Sequence, residues 1–245
     1  MKPVSIESIE RATIAAVSPE KVLELNGWLL SFDSGTIGRA KSAVPLAHVA
    51  PDMAVVRLIE AHYATRGLPA VFRLATHACF DTLRLELQQR GYSAAKPTWV
   101  QTASVQAMRR ATAQPIADVD STPDAAWTAL FLGEGFDPLD GASRVKSLSR
   151  STSNVYASLR ETGQTLAGGA ASFSHGWASV HGMRTAQSHR GQGLAGRVLA
   201  GLAQAAMQRG LEQVFLQVEA NNPAAQALYK RAGFTTVWTY EYWSL

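Results

Sequence analysis

The sequence predicts an α/β fold with a mixed (α+β) sheet, assembled from two similar halves in tandem. An internal repeat, an alternation of helix-like and strand-like segments in each copy, and a glycine-rich turn present in only one copy support this. RGLPAVF begins at Arg66, and RGLEQVF begins at Arg209, 143 positions later. Leu85-Glu86-Leu87 and Arg90-Gly91-Tyr92 then run beside Ala227-Leu228-Tyr229 and Ala232-Gly233-Phe234, one residue shorter in the second copy, and Trp99 falls near Trp238 and Tyr240. Agreement in the order of elements marks a duplicated unit rather than a chance window.

In the first copy, Pro51 opens a helical stripe of Val55, Val56, Ile59 and Tyr63 that stops at Gly67. Val71 to Leu74 is strand-like and Leu83 to Leu87 is helical again. Upstream, Trp28 to Phe32 and Ile37 to Val44 read as a hairpin around Asp33-Ser34-Gly35. A polar, alanine-rich stretch from Gln106 to Asp120 reads as the junction. In the second copy, Pro123 to Phe131 and Ala142 to Leu148 read as helices. Asn154 to Arg160, Leu166 to Phe173 and Ala178 to Thr185 read as strands, with turns at Glu161-Thr162-Gly163 and Ser174-His175-Gly176.

The 245 residues suffice for one large domain or two small ones. The net charge of +4 is not concentrated in any Lys/Arg run, so no nucleic-acid partner is expected. Cys79 is the single cysteine, which leaves no intramolecular disulfide, and a buried apolar role is expected for it. The N-terminal stretch MKPVSIESIERA has no apolar signal core, and no run is long enough to span a bilayer. These features point to a soluble, cytoplasmic protein with no membrane partner. His175, His181 and His189 lack companion ligands at metal spacing, so no metal is expected. The six tryptophans are scattered, as for core and inter-half packing.

Two motifs carry chemistry. Arg190-Gly191-Gln192-Gly193-Leu194-Ala195-Gly196 precedes a helix whose Leu194, Val198, Leu199, Leu202 and Ala206 share one face. Glycines there let backbone approach a ligand, and first-turn N–H groups with the helix dipole hold phosphate or pyrophosphate. Gly191, Gly193 and Gly196 also spell the dinucleotide fingerprint, but Ala186 to Arg190 separates the strand from the first glycine, which argues against that reading. The second motif is a helix capped by Asn222 with Pro223 at its first position, Lys230 and Arg231 in its last turn, and Gly233 at its end. Such capping fixes Tyr229. The first copy has Leu87 there, and His48-Val49-Ala50-Pro51 in place of the loop, so it should be inactive.

Together these motifs resemble the GNAT superfamily of acyl-CoA N-acyltransferases. The resemblance rests on Arg190-x-x-Gly193-x-Ala195 and on Asn222-Pro223-Ala224-Ala225-x-x-Leu228-Tyr229 with Gly233-Phe234. It implies two GNAT-like halves, a degenerate one over residues 1–110 and an active one over 111–245. It implies an acetyl-CoA-dependent N-acetyltransferase, in which a primary amine of a small-molecule or peptide acceptor attacks the thioester directly. Main-chain groups of Met183, Arg184 and Thr185 would line the pantetheine arm and polarise the thioester carbonyl. Arg190, Gly191, Gln192, Gly193, Leu194, Ala195 and Gly196 would hold the pyrophosphate, Asn222 would touch the CoA arm, and Tyr229 would be the general acid. The parallel strands Ala178–Thr185 and Val214–Glu219 would splay to admit the cosubstrate.

The general base is open. Some GNAT enzymes carry a glutamate where this chain has Gln217, which cannot take a proton; Glu219, His181 and a chain of waters are the candidates. A non-catalytic acyl-CoA-binding or regulatory module is the alternative function. A monomer acting as an intramolecular pseudo-dimer, or a homodimer, is expected.

Overall fold

The computed structural model describes residues 4–245; Met1 to Pro3 of the N-terminal stretch lie outside it. Helix α1 (Ile6–Val17) opens at Ser5, whose hydroxyl accepts the Ser8 N–H at 3.3 Å. Its Ile9, Ala12, Thr13 and Ala16 are buried on one face. Strands β1 (Lys21–Leu25) and β2 (Trp28–Phe32) form a tight hairpin through Asn26-Gly27. Both turn residues have positive φ, 49° and 78°, as a type I′ turn requires.

The antiparallel pairing expected of Trp28 to Phe32 with the segment ending at Val44 forms, but not through a tight turn at Asp33-Ser34-Gly35. The chain instead makes a 3₁₀ turn at Gly38–Lys41, and only β3 (Ala43–Pro45) pairs with β2. Asp33 explains the difference: its carboxylate accepts the Gly35 N–H at 2.7 Å and pairs with Arg150, while Ile37 buries against Val17 and Ala40. The connection is thereby pulled towards the second half instead of continuing β2.

The first half continues with α2 (Ala54–Ala64), β4 (Phe72–Ala75), α3 (Asp81–Gln89) and β5 (Ser93–Ser104). Val55, Val56, Ile59, Tyr63, Leu83 and Leu87 form a core with Phe72 and Leu74. Cys79 does not fill that core. It is half-buried in a 3₁₀ turn, and the neighbouring Phe80 occupies the interior.

The stretch from Gln106 to Asp120, read as the junction, is structured. It carries most of α4 (Val105–Arg109) and ends in β6 (Asp118–Asp120), because Val105 and Met108 are buried in the second core. There follow α5 (Ala125–Phe131), α6 (Pro138–Arg150), β7 (Asn154–Glu161), β8 (Gln164–Ser174), β9 (Trp177–Thr185), α7 (Leu194–Met207), β10 (Gln213–Glu219), α8 (Pro223–Arg231) and β11 (Thr235–Ser244). Thr162-Gly163 and His175-Gly176, all at positive φ, turn the β7–β8 and β8–β9 hairpins.

All eleven strands form one mixed sheet in the order β1-β2-β3-β4-β11-β5-β10-β9-β8-β7-β6. The halves interleave. β11, from the end of the chain, lies between β4 and β5, while β5 lies between β11 and β10. Each half thus receives the other's last strand, so a division near residue 110 separates the halves along the chain but not in the sheet. Helix α1 spans this seam, packing Ile9 and Ala12 against Val100, Phe215, Tyr240 and Trp177. On the opposite face α7 buries Val198, Leu199 and Leu202 completely.

Candidate active site

β9 and β10 run parallel but pair only at Val214–Ala178, Phe215–Ser179 and Leu216–Val180. Both strands continue beyond that point, so their facing main-chain groups line a slot instead of a ladder. A bulge in β9 drives the divergence: Gly182 and Met183 stand opposite the single Gly169 of β8. Gly182 has φ +59°, and a Cβ there would lie 2.9 Å from the Leu148 side chain, so glycine is required. The slot broadens into a cavity of about 830 Å³ whose walls include His181, Met183, Arg184, Glu219, Asn222 and Tyr229.

Met183 and Arg184 on β9 line the cavity, while Thr185 and the glycine loop lie beyond its lining. After β9 a 3₁₀ turn (Gln187–His189) leads into the loop. Gly191 and Gly193 have φ of +79° and +76°, and a Cβ on either would meet no atom within 4 Å. The glycines thus serve backbone conformation and leave open space above the loop. Gly193 caps α7 without a side-chain bond, and its carbonyl accepts the N–H groups of Gly196 at 3.0 Å and Arg197 at 3.4 Å. Among the described residues, the amides of Gly191, Gln192, Gly193, Leu194 and Ala195 have no main-chain acceptor. This row of free donors at a helix N-terminus suits an anion. Arg190 is exposed beside it, and Arg184 is held over the Phe136 ring at 4.2 Å and by Asp140 at 3.3 Å.

Helix α8 is capped as its sequence requires. The Asn222 side chain accepts the Ala225 N–H at 3.1 Å, and Gly233 ends the helix at φ +87°. Tyr229 is 8% exposed, packs edge-on to Phe234 at 5.8 Å, and borders the cavity. Burial pushes its phenol up to about 12, opposed by the Arg39 cation, so the hydroxyl keeps its proton at neutral pH.

The two candidate bases differ in setting. His181 is 4% exposed, and its Nε2 lies 2.8 Å from the Ser179 hydroxyl while Nδ1 has no partner. Burial, with Arg39 second, holds its imidazole well below the usual range. Glu219 is exposed at the end of β10, on the cavity wall, with no cation in salt-bridge range among the described residues.

Sequence reasoning missed what the first half contributes. Arg39, from the 3₁₀ turn after β2, enters the cavity and donates to the Gln217 Oε1 at 3.1 Å. The same oxygen accepts from the Tyr240 hydroxyl at 3.1 Å, and the Gln217 amide donates to Thr13 Oγ1 at 3.1 Å. Asp140 of α6 also reaches the cavity. No short-range signal marks Arg39, because its placement depends on β11 and β10 meeting the first half across the sheet.

A family model described as "Probable histone acetyltransferase Rv0428c C-terminal" matches residues 4–243 of this chain. The chain is 25% identical over 242 residues to an uncharacterized N-acetyltransferase, YobR, of Bacillus subtilis (strain 168), covering 97% of each protein. Among solved structures, a GCN5-related N-acetyltransferase from Kribbella flavida aligns over 100% of this chain and 96% of its own, at TM-score 0.72 and 16% identity. A tandem GNAT protein from the clavulanic acid biosynthesis pathway aligns over 98% and 94%, at TM-score 0.61 and 12% identity. The chain belongs to the GNAT superfamily of N-acetyltransferases, in the family of the Rv0428c C-terminal region.

Proposed function

We propose that this GNAT-type acetyltransferase uses acetyl-CoA and transfers the acetyl group to a primary amine of a small-molecule or peptide acceptor. One observation carries the reading: β9 leads from the slot beside Tyr229, through one short 3₁₀ turn, to a row of unpartnered amides at the α7 N-terminus. The fit is chemical as well as spatial. Open glycines and free N–H groups suit a pyrophosphate, and the unpaired wall of β9 suits an amide-bearing arm. Gly191 to Ala195 and Arg190 would hold the diphosphate, the expected Gly196 amide being committed to the Gly193 carbonyl, and Met183 to Thr185 and Asn222 would hold the arm. When bound, acetyl-CoA supplies an activated acyl group.

The transfer forms one C–N bond and breaks one C–S bond. The β9 main chain donates to the carbonyl oxygen as negative charge grows there, a contribution of about 3 kcal/mol for one preorganised donor. Tyr229 delivers the proton that the departing sulfur gains, and its retained proton suits that task. Glu219, a carboxylate open to water, takes the proton that the amine loses; His181, buried and neutral, is the weaker acceptor. The interleaved sheet supports the monomer as the functional unit, since the cavity already draws on both halves. Among the described residues no helix is long and apolar enough to cross a membrane.

Titration calorimetry with acetyl-CoA, followed by CoA release with an amine panel, tests the reading. Binding plus amine-dependent release is expected, and absence of binding overturns it. A non-catalytic acyl-CoA-binding module is the second reading, favoured by Gln217 standing at the position of some relatives' base. Binding without release for any amine would establish it. Comparison of pH–rate profiles for Glu219→Gln and His181→Asn identifies the base, and unchanged profiles would exclude both groups.

A further inference from the structure

We infer that the cleft selects an acceptor amine carrying its own compact anion, a carboxylate or phosphate, which the Arg39 guanidinium receives. The inference rests on the acetyl-transfer reading of this site and names its substrate class.

The charges around the cavity are unbalanced. Arg39, Lys41, Lys96, Arg144 and Arg184 line it against the side-chain carboxylates of Asp140 and Glu219. Asp140 is already engaged, accepting from Arg144 Nε at 2.6 Å, Arg184 at 3.3 Å and the Thr36 hydroxyl at 2.8 Å. Among the described residues Glu219 pairs with no cation. Arg39, Lys41 and Lys96 are consequently left without a carboxylate within 4.0 Å among the described residues.

Arg39 is the best placed of the three, being built into the wall. The turn that carries it is seated against the Tyr242 ring, where a Cβ on Gly38 would come within 2.8 Å of the ring, so only glycine allows this approach. One guanidinium nitrogen donates to Gln217 Oε1, and the remaining donors keep a fork suited to bidentate capture of an oxyanion. Gln217 is itself oriented, its amide donating to Thr13 and its oxygen receiving Tyr240 and Arg39. A glutamate of the same shape would place a permanent counter-ion on Arg39. The glutamine aims the guanidinium without neutralising it, leaving that charge for a ligand. Lysine-rich peptides, by the same token, would meet like charge at the entrance.

The test uses matched pairs in a CoA-release assay: amino acids with their decarboxylated amines, phosphoethanolamine with ethanolamine, and a lysine-rich peptide. The anionic member of at least one pair is expected to exceed its neutral partner about 10-fold or more in kcat/KM, chiefly through KM. The carboxylate and phosphate arms distinguish the two anions. Arg39→Gln and Gln217→Glu should each erase the preference while acetyl-CoA affinity stays within about twofold, the first by removing the cation and the second by occupying it. Retained acetyl-CoA binding shows that each variant is folded. The inference is overturned if neutral amines or the peptide are preferred, or if the preference survives either substitution. It is also overturned if no amine in the panel is used by a protein that still binds acetyl-CoA. Failure to bind acetyl-CoA at all would instead remove the underlying assignment of the site.

Discussion

Where the second half presents Tyr229 to the cavity, the first half buries Leu87 completely among Phe72, Leu83 and Tyr92. The same alignment sets Phe72 beside Phe215, both fully buried, but Leu74 beside Gln217, and Arg73 beside Leu216. His48 to Pro51 replaces the loop glycines. What persists between the copies is what the sheet needs for packing; what differs is what the slot needs for chemistry. The first half nevertheless lends β5 as a neighbour of β10 and Arg39 as part of the cavity wall. The first half is therefore built into the sheet and wall around the slot rather than standing apart from them.

The Arg73–Leu216 contrast offers the largest expected effect. Arg73 is 1% exposed and Glu10 2%, and they meet at 2.6 Å. Glu10→Gln would strand the guanidinium, and removal of one partner of a buried pair typically costs about 3–5 kcal/mol. Replacing both partners by apolar residues, Glu10→Leu with Arg73→Leu (the residue type at the matching position, Leu216, of the second half), should cost much less. Urea unfolding midpoints measure this; a single variant no less stable than the double would show that the pair is not an isolated buried charge pair.

Tyr229→Phe comes next. It should lower kcat about 100-fold or more with little change in acetyl-CoA affinity, since the ring and its packing remain. Adding Leu87→Tyr should restore nothing, because that position opens on no slot. Unchanged turnover in the single variant would remove the phenol from the mechanism.

How far this contrast could be seen beforehand follows from the range of the interactions. The second half's strands and helices were legible because local devices specify them: capping at Asn222-Pro223, the Thr162-Gly163 and His175-Gly176 turns, and the apolar face of α7. Asn26-Gly27 is an equally local hairpin signal; Asp33-Ser34-Gly35 offers similar turn residues, but its side chains serve the longer-range contacts Ser34–Glu20 and Asp33–Arg150. Helix α1 shows its pattern through small alanines between Ile9 and Val17, a weaker stripe than leucines make. The exchange of β5 and β11 and the entry of Arg39 arise from partners 100 or more residues away, such as Arg39 with Gln217. No window of sequence contains that information.

The glycines sharpen the comparison at a smaller scale. Gly193 and Gly67 both have positive φ, +76° and +65°, with open space around the missing Cβ. Alanine at either position incurs left-handed strain of about 1–2 kcal/mol. At Gly193 the strain would relax by turning the amide row, so acetyl-CoA affinity should fall about 10-fold in calorimetry. At Gly67 only stability should change. Equal affinities in the two variants would separate the loop from cosubstrate binding.

The smallest effect belongs to His181, whose buried neutral form is favoured by the fold. A histidine held below its unfolded value of about 6.5 contributes stability above that pH, and the contribution is lost as pH falls, because the unfolded chain takes the proton first. Between pH 7 and 6 the loss from one such group is about 0.7 kcal/mol. His48 in the first half is also lowered, to about 4, by burial and by His77, so it acts in the same window. Its ring is partly open to water, which reduces its share. His181→Asn should therefore flatten, without abolishing, the decline of the urea midpoint over that pH unit. Equal slopes would mean that the imidazole already binds a proton within the fold. In that event a protonated His181 beside Arg39 would need an anion in the slot to hold it.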